Sequence, residues 1–218
     1  MHEFDKTYWE NHWSDAADQA DVSQGGGRQV PANPYLLAES AHLPPGTALD
    51  VGCGTGAEAL WLAGRNWSVT GADISASALA AAIDRAARTS LSGRVEWVEA
   101  DLTTWEPDRS WDLVVTSYAH PQTGQLAFYQ RIASWVAPGG TLLIVGHLHS
   151  SDTSHHDDLP GVGRHHPEHA TATRSGIVDL LQGRDWRIDA SYDTTRVVQA
   201  GDRTMPLHDV IVRAHRQQ

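Results

Sequence analysis

The chain has 218 residues, 40% hydrophobic and 20% charged, a balance that excludes intrinsic disorder and suits one ordinary core. Sixteen Lys and Arg against 27 Asp and Glu leave a formal net charge of −11, which argues against a nucleic-acid backbone or an anionic membrane as the main partner. A single cysteine, Cys53, excludes an intramolecular disulfide and any thiolate-rich zinc site.

Residues 1–30 show no apolar run of the secretory kind, and no stretch approaches the ~20 apolar residues of a membrane-spanning helix. A cytoplasmic protein is expected. Within residues 1–30, Tyr8-Trp9-Glu10-Asn11-His12-Trp13 precedes Gly25-Gly26-Gly27. A helix would place Trp9 and Trp13, four apart, on one face. Such a helix is either docked on the body or a lid hinged at the glycines, and both readings stay open.

Residues 31–218 are expected to form one domain. Pro34 to His42 predicts a short helix before Pro44-Pro45-Gly46. Strands follow at Thr47–Val51, Ser68–Ile74, Arg94–Val98, Asp112–Thr116 and Thr141–Val145, the last an unbroken apolar run suited to burial on both faces. Helices are expected between them, at Ala57–Gly64, at alanine-rich Ala76–Arg88, and at Gly124–Val136 ahead of Pro138-Gly139-Gly140. This alternation predicts a parallel sheet covered on both sides, an open doubly wound α/β fold. Residues 147–170 hold seven of the 13 histidines and little periodicity, a long loop of the functional or disordered kind. A helix at Thr171–Leu181 and strands at Trp186–Val198 and Leu207–Ala214 close the chain, the two strands forming an antiparallel hairpin at one sheet edge.

The chemistry concentrates at Asp50-Val51-Gly52-Cys53-Gly54-Thr55-Gly56, between a predicted strand and a predicted helix. Alternate glycines let the backbone turn tightly and approach a ligand, and amides at a helix start favour a polar or anionic group. Asp73 ends the second strand, where a carboxylate can accept from both ribose hydroxyls of a nucleoside. Asp101 follows the third strand, where it could accept from an exocyclic adenine amine, with Ile74 and Leu102 flanking the ring. One such Asp is readily a turn or cap residue. Three at consecutive strand ends, Asp50, Asp73 and Asp101, point to a nucleoside site at the carboxyl edge of the sheet. Without a Lys or Arg directly after the loop, a pyrophosphate fits less well than a nucleoside with a cationic or neutral tail.

The ordered segments LDVGCGTG, GADIS, VEADL, WDLVVTSYAH and PGGTLLIVGH resemble the motifs of class I S-adenosylmethionine-dependent methyltransferases over residues 46–147. The resemblance implies a Rossmann-like open sheet of seven strands, mainly parallel with the last antiparallel, and helices on both faces. It implies that Gly52, Cys53, Gly54 and Gly56 pass close to the methionine part of S-adenosyl-L-methionine. Asp50 would support the loop or the amino group, Asp73 would bind the ribose, Asp101 with Leu102 the adenine, and the Ser117 backbone the methionine amine. YWENHW and GHLHSSD are most similar to the small bacterial branch near the tellurite-resistance and quinone-biosynthesis enzymes.

Methyl transfer is a displacement in which the cofactor supplies most of the driving force and the protein supplies alignment. A base is needed only where the acceptor carries a proton that must leave. Candidates are His120 after the fourth strand and His147 and His149 after the fifth, which would converge if those strands are neighbours. The alternative is that these are polar residues ending strands. Tyr118 would orient the acceptor as a hydrogen-bond donor. Arg28 is a candidate for pairing with the cofactor carboxylate. Trp9, Trp13 and Trp105 are the tryptophans expected near a ligand, although packing is the alternative for each.

His165-His166-Pro167-Glu168-His169 matches the zinc-protease pattern H-x-x-E-H, but Pro167 bars the helix such ligands require. No catalytic metal is expected. The function these residues imply is methyl transfer to a hydroxyl, nitrogen, sulfur or activated carbon of a small planar molecule, by a monomer or homodimer. The rivals are a nicotinamide nucleotide enzyme, disfavoured by G-x-G-x-G in place of G-x-G-x-x-G, and a cofactor-binding regulatory module without turnover.

Overall fold

The computed structural model describes residues 4–22, 31–148, 172–183, 185–200 and 203–218. The elements are α1 (Lys6–Val22), α2 (Pro34–Ser40), β1 (Thr47–Val51), α3 (Ala57–Ala63), β2 (Ser68–Asp73), α4 (Ala76–Ala87), β3 (Val95–Glu99), β4 (Trp111–Ser117), α5 (Gln125–Ala133), β5 (Val136–His147), α6 (Arg174–Leu180), β6 (Trp186–Ala200) and β7 (Arg203–Arg216).

All seven strands form one sheet in the order β3-β2-β1-β4-β5-β7-β6. β7 runs antiparallel to both its neighbours, β5 and β6, while the other pairings are parallel. This is the Rossmann-like sheet implied by the motif order. Successive side chains of a strand point to opposite faces, and a two-faced core needs apolar residues at every position. β1 sends Leu49 and Val51 to one core and Ala48 to the other; β5 divides Leu142 and Ile144 from Leu143 and Val145 in the same way. Phe128 and Ile132 of α5 and Ile177 of α6 cover the first face, while Leu36 of α2, Leu60 and Leu62 of α3 and Ala86 of α4 cover the second.

Two boundaries depart from expectation. α5 stops at Ala133 and β5 begins at Val136, which pairs with Trp111 before the register shifts and resumes at Thr141 opposite Leu113. Trp135-Val136 continues the helical apolar spacing of Ile132, so periodicity alone extends the helix, whereas pairing with β4 satisfies the backbone here. The closing hairpin is also longer than expected. Thr194 and Asp209 lie level with His147 at the upper end of β5, so the hairpin tip rises past the carboxyl edge of the sheet. Winding reverses between β1 and β4, which puts the ligand crevice of this architecture at their carboxyl ends.

Candidate active site

A cavity of about 760 Å³ occupies that crevice, floored by the glycine loop and roofed by α1. Such a volume is ordinary for a small-molecule site. Gly52, Gly54 and Gly56 all have positive φ, at 73°, 50° and 74°. At Gly52 an added Cβ would stand 2.6 Å from the Ala119 Cβ, and at Gly56 one would stand 2.5 Å from the Trp97 ring, so glycine is required by space as well as by conformation.

The loop amides behave differently from the anion cradle suggested by their position. Gly52 and Cys53 N–H both donate to the Ala72 carbonyl, at 2.8 and 3.1 Å. Gly56 N–H donates to the Cys53 carbonyl at 2.9 Å, and Gly54 N–H to Asp73 Oδ2 at 2.8 Å. Three of these donors hold the loop against β2 and the fourth closes the loop on itself. The turn therefore offers little of the amide charge that a pyrophosphate needs.

Of the three acids, Asp73 and Asp101 line the cavity and Asp50 does not. Asp73 is buried, accepts from Gly54 and Ser75 N–H at 2.8 and 2.9 Å, and is pushed above the usual carboxylate range by burial against the opposing pull of those amides. Asp101 is exposed, and its Oδ1 accepts from the Thr103 amide and hydroxyl at 2.9 and 2.7 Å. Ile74 and Leu102 line the same side. Asp50 is fully enclosed and accepts from Ala59 N–H at 3.0 Å, fastening α3 to β1; burial first, and the Glu58 charge second, hold its carboxyl well above the ordinary range. That bond reaches the first turn of α3, just past the glycine loop. Glu58, which lines the cavity while accepting from Asn33 N–H at 3.0 Å, was not singled out because nothing in its local sequence marks it.

The opposite wall is aromatic. Phe4 stacks on Trp9 (centroids 5.8 Å apart), and His120 lies 5.6 Å from Phe4 and 6.5 Å from Trp9, nearly parallel to the latter. Trp13 lies over the loop, 3.0 Å from where a Gly54 Cβ would be. Glu10, one turn from Trp13 on α1, accepts from Ala76 N–H at 2.6 Å and from Ser77 N–H and Ser75 Oγ at 3.2 Å. That carboxylate caps α4, and the Ser77 bond with the amides keeps it below the usual range. Lys6 pairs with Glu99 at the end of β3. The N-terminal helix is thus docked over the cavity.

Ser117, Tyr118 and His120 line the cavity after β4, with Tyr118 in the left-handed region at φ 56°. Ser117 Oγ is buried without a hydrogen-bond partner among the described residues, an orphaned polar atom that a bound ligand would satisfy. His147 stands one layer back, its ring stacked on Tyr118 at 4.6 Å and on His120 at 5.5 Å. Trp105 departs from expectation: it packs on Trp111 and Trp135 in the core rather than on the cavity, because the turn held by Asp101 directs it inward. Arg28, Gly25 to Gly27, His149 and most of the histidine-rich loop lie outside the described residues. Among the described residues no group of metal-binding side chains occurs, and no helix is long and apolar enough to cross a membrane.

Residues 48–140 match the family described as "Methyltransferase domain". Over those residues, from β1 into β5, the chain carries a methyltransferase domain. The chain is 34% identical over 151 residues to the Ribosomal RNA small subunit methyltransferase C of Alcanivorax borkumensis, covering 62% of this chain and 46% of that one. It is 30% identical over 138 residues to the Probable thiol methyltransferase 2 of Arabidopsis thaliana, covering 62% and 59%. The chain thus spans about half the length of the curated relatives it matches. Its fold superposes on magnesium protoporphyrin IX methyltransferase from Synechocystis with bound S-adenosylhomocysteine at a TM-score of 0.67, with 17% identity and coverage of 97% and 98%.

Proposed function

We propose that the protein transfers a methyl group from S-adenosylmethionine to a small planar acceptor held under α1 against the aromatic wall. The observation that carries this is the single cavity joining Asp73 and Asp101 on one side to Phe4, Trp9, Tyr118 and His120 on the other. When bound, the cofactor would supply an electrophilic methyl and depart as a neutral thioether. The chain's own residues fit it. Asp73 lines the cavity with one amide bond on each carboxylate oxygen, which leaves lone pairs for ribose hydroxyls; Asp101 and Leu102 offer a polar and an apolar edge for adenine, and Ser117 Oγ awaits a donor or acceptor.

Charge supports the same reading. Among the described residues, Asp5, Glu58, Asp73, Glu99 and Asp101 line the cavity against the Lys6 ammonium. Such a field attracts a sulfonium and favours neutral or cationic acceptors, while it repels pyrophosphate and nucleic-acid backbones. The spent amides of the glycine loop weigh against a nicotinamide dinucleotide for the same reason. Methyl transfer also asks the protein for alignment, and the roof of α1 supplies enclosure from water.

Incubation with methyl-labelled S-adenosylmethionine and a panel of phenols, heteroaromatic amines, thiols, carboxylates and ribosomal RNA tests the proposal. Label is expected in an uncharged or cationic planar acceptor. Trp9→Ala should lower kcat/KM for it by at least tenfold. Preferential labelling of RNA would contradict the small-molecule acceptor, and cofactor binding without any turnover would favour a regulatory module.

A further inference from the structure

At the glycine-loop end of the cavity a carboxylate has an oxygen to spare. Glu58, in the first turn of α3 and two residues past Gly56, lines the cavity beside Gly52, Cys53 and Thr55. Its Oε1 accepts from Asn33 N–H at 3.0 Å, and its Oε2 accepts from no described residue. The other acids of the cavity serve elsewhere. Asp73 takes an amide on each oxygen, Asp101 holds Thr103, Asp5 accepts from Tyr8 N–H at 2.8 Å, and Glu99 pairs with Lys6. Asp209 of β7, enclosed and off the cavity, has its own cation in Arg196 of β6, whose Nε donates to it at 2.8 Å.

Asp50 is the neighbouring acid, and the Glu58 charge opposes its ionisation. Burial raises both carboxyls, Asp50 further because it is fully enclosed, so of the two the negative charge settles first on Glu58 at the cavity surface. A half-buried carboxylate with a free oxygen stabilises an ammonium, which brings three donors and a full charge, more than it stabilises a neutral group. S-adenosylmethionine carries such an ammonium on the tail beyond its sulfur. The amides of the glycine loop are donors and cannot accept from it, and Ser117 Oγ adds one neutral acceptor. We propose that Glu58, rather than Asp50, accepts from the α-ammonium of the cofactor. The identity of the ligand rests on the methyl-transfer reading; the place of the ammonium rests on the cavity and on the spare oxygen of Glu58. Asn33, whose side chain caps α2 while its N–H holds Glu58, steadies the acid from a second element.

Calorimetric titration of the full chain with three adenosyl thioethers tests this. S-adenosylhomocysteine carries the ammonium and a carboxylate, the aminopropyl thioether of deoxyadenosine carries the ammonium alone, and the propyl thioether carries neither. The wild type is expected to bind the aminopropyl compound about tenfold or more tightly than the propyl one. Glu58→Gln, which keeps an acceptor for Asn33 N–H, should erase most of that preference and weaken S-adenosylhomocysteine by about tenfold or more, with the propyl compound within about twofold of wild type. Asp50→Asn should retain the preference. Equal wild-type affinity for the aminopropyl and propyl compounds overturns the proposal without any variant. So does a folded Glu58→Gln that weakens all three ligands equally or none of them, and so does a preference that survives in Glu58→Gln and vanishes in Asp50→Asn. A wild type that binds none of the three removes the methyl-transfer reading as well, whereas adenosyl binding without a preference set by Glu58 removes only the assignment of the ammonium.

Discussion

Asp50 and Gly56 show how single residues shape the glycine loop, and each makes a prediction. Burial raises the Asp50 carboxyl well above its unfolded value, so the folded state holds that proton more tightly than the unfolded state does. Its contribution therefore becomes unfavourable as pH rises from about 4 through the raised value, so the enclosed group costs stability at neutral pH relative to its unfolded state. Asp50→Asn keeps an acceptor for Ala59 N–H, so thermal unfolding at pH 7.5 should shift upward by a few degrees, about 2–4 °C per kcal/mol regained, and not at pH 4. A lower melting temperature at pH 7.5 would contradict this. Gly56→Ala combines a left-handed φ of 74° with a contact of 2.5 Å on the Trp97 ring, and should cost about 2 kcal/mol or more in urea unfolding. Alternating glycines and strand-end acids were readable from the sequence because they are local. The inward turn of Asp50 was not, since only the three-dimensional packing of α3 on β1 decides which way it faces. Asp209 and Arg196 meet only through the register of the closing hairpin, and Glu58 meets the Asn33 amide from another element, so no local pattern marks any of the three.

At the level of elements, α1 joins sequence to site most directly. Trp9 and Trp13 at helical spacing announced a shared face, and the structure lays that face over the cavity. What holds it is Glu10 at the start of α4, an interaction invisible to periodicity because donor and acceptor are 66 residues apart. An N-cap carboxylate is worth about 1 kcal/mol, reduced here by its exposure to solvent. Glu10→Ala should accordingly speed amide exchange along α1 and weaken S-adenosylhomocysteine binding about two- to tenfold, with little change in global melting. Normal exchange with a large loss of melting temperature would make α1 a structural helix rather than a closing one. The β1 strand was readable to the residue, while the α5–β5 boundary was not. An apolar run such as Ile132 to Val136 satisfies either period, and only the neighbouring β4 selects between them.

For the whole molecule, strand order is what turns scattered motifs into a site. β1 and β4 occupy the middle of the sheet, so the ends of β1, β2, β3 and β4 converge on one crevice while β6 and β7 bring Arg196 and Asp209 to its rear. Alternating strands and helices made this architecture readable in outline; the reach of the closing hairpin beyond the sheet was not, because its turn chemistry fixes where it bends rather than how far it extends. The central claim is that Asp73 and the glycine loop hold an adenosyl cofactor, and calorimetric titration of S-adenosylhomocysteine into the wild type and Asp73→Ala tests it most directly. The expected result is one-to-one binding that weakens by roughly 1.5–3 kcal/mol in the variant, or about ten- to 150-fold, with no heat from NAD. An absence of binding to the wild type, or equal affinity in both proteins, would contradict it.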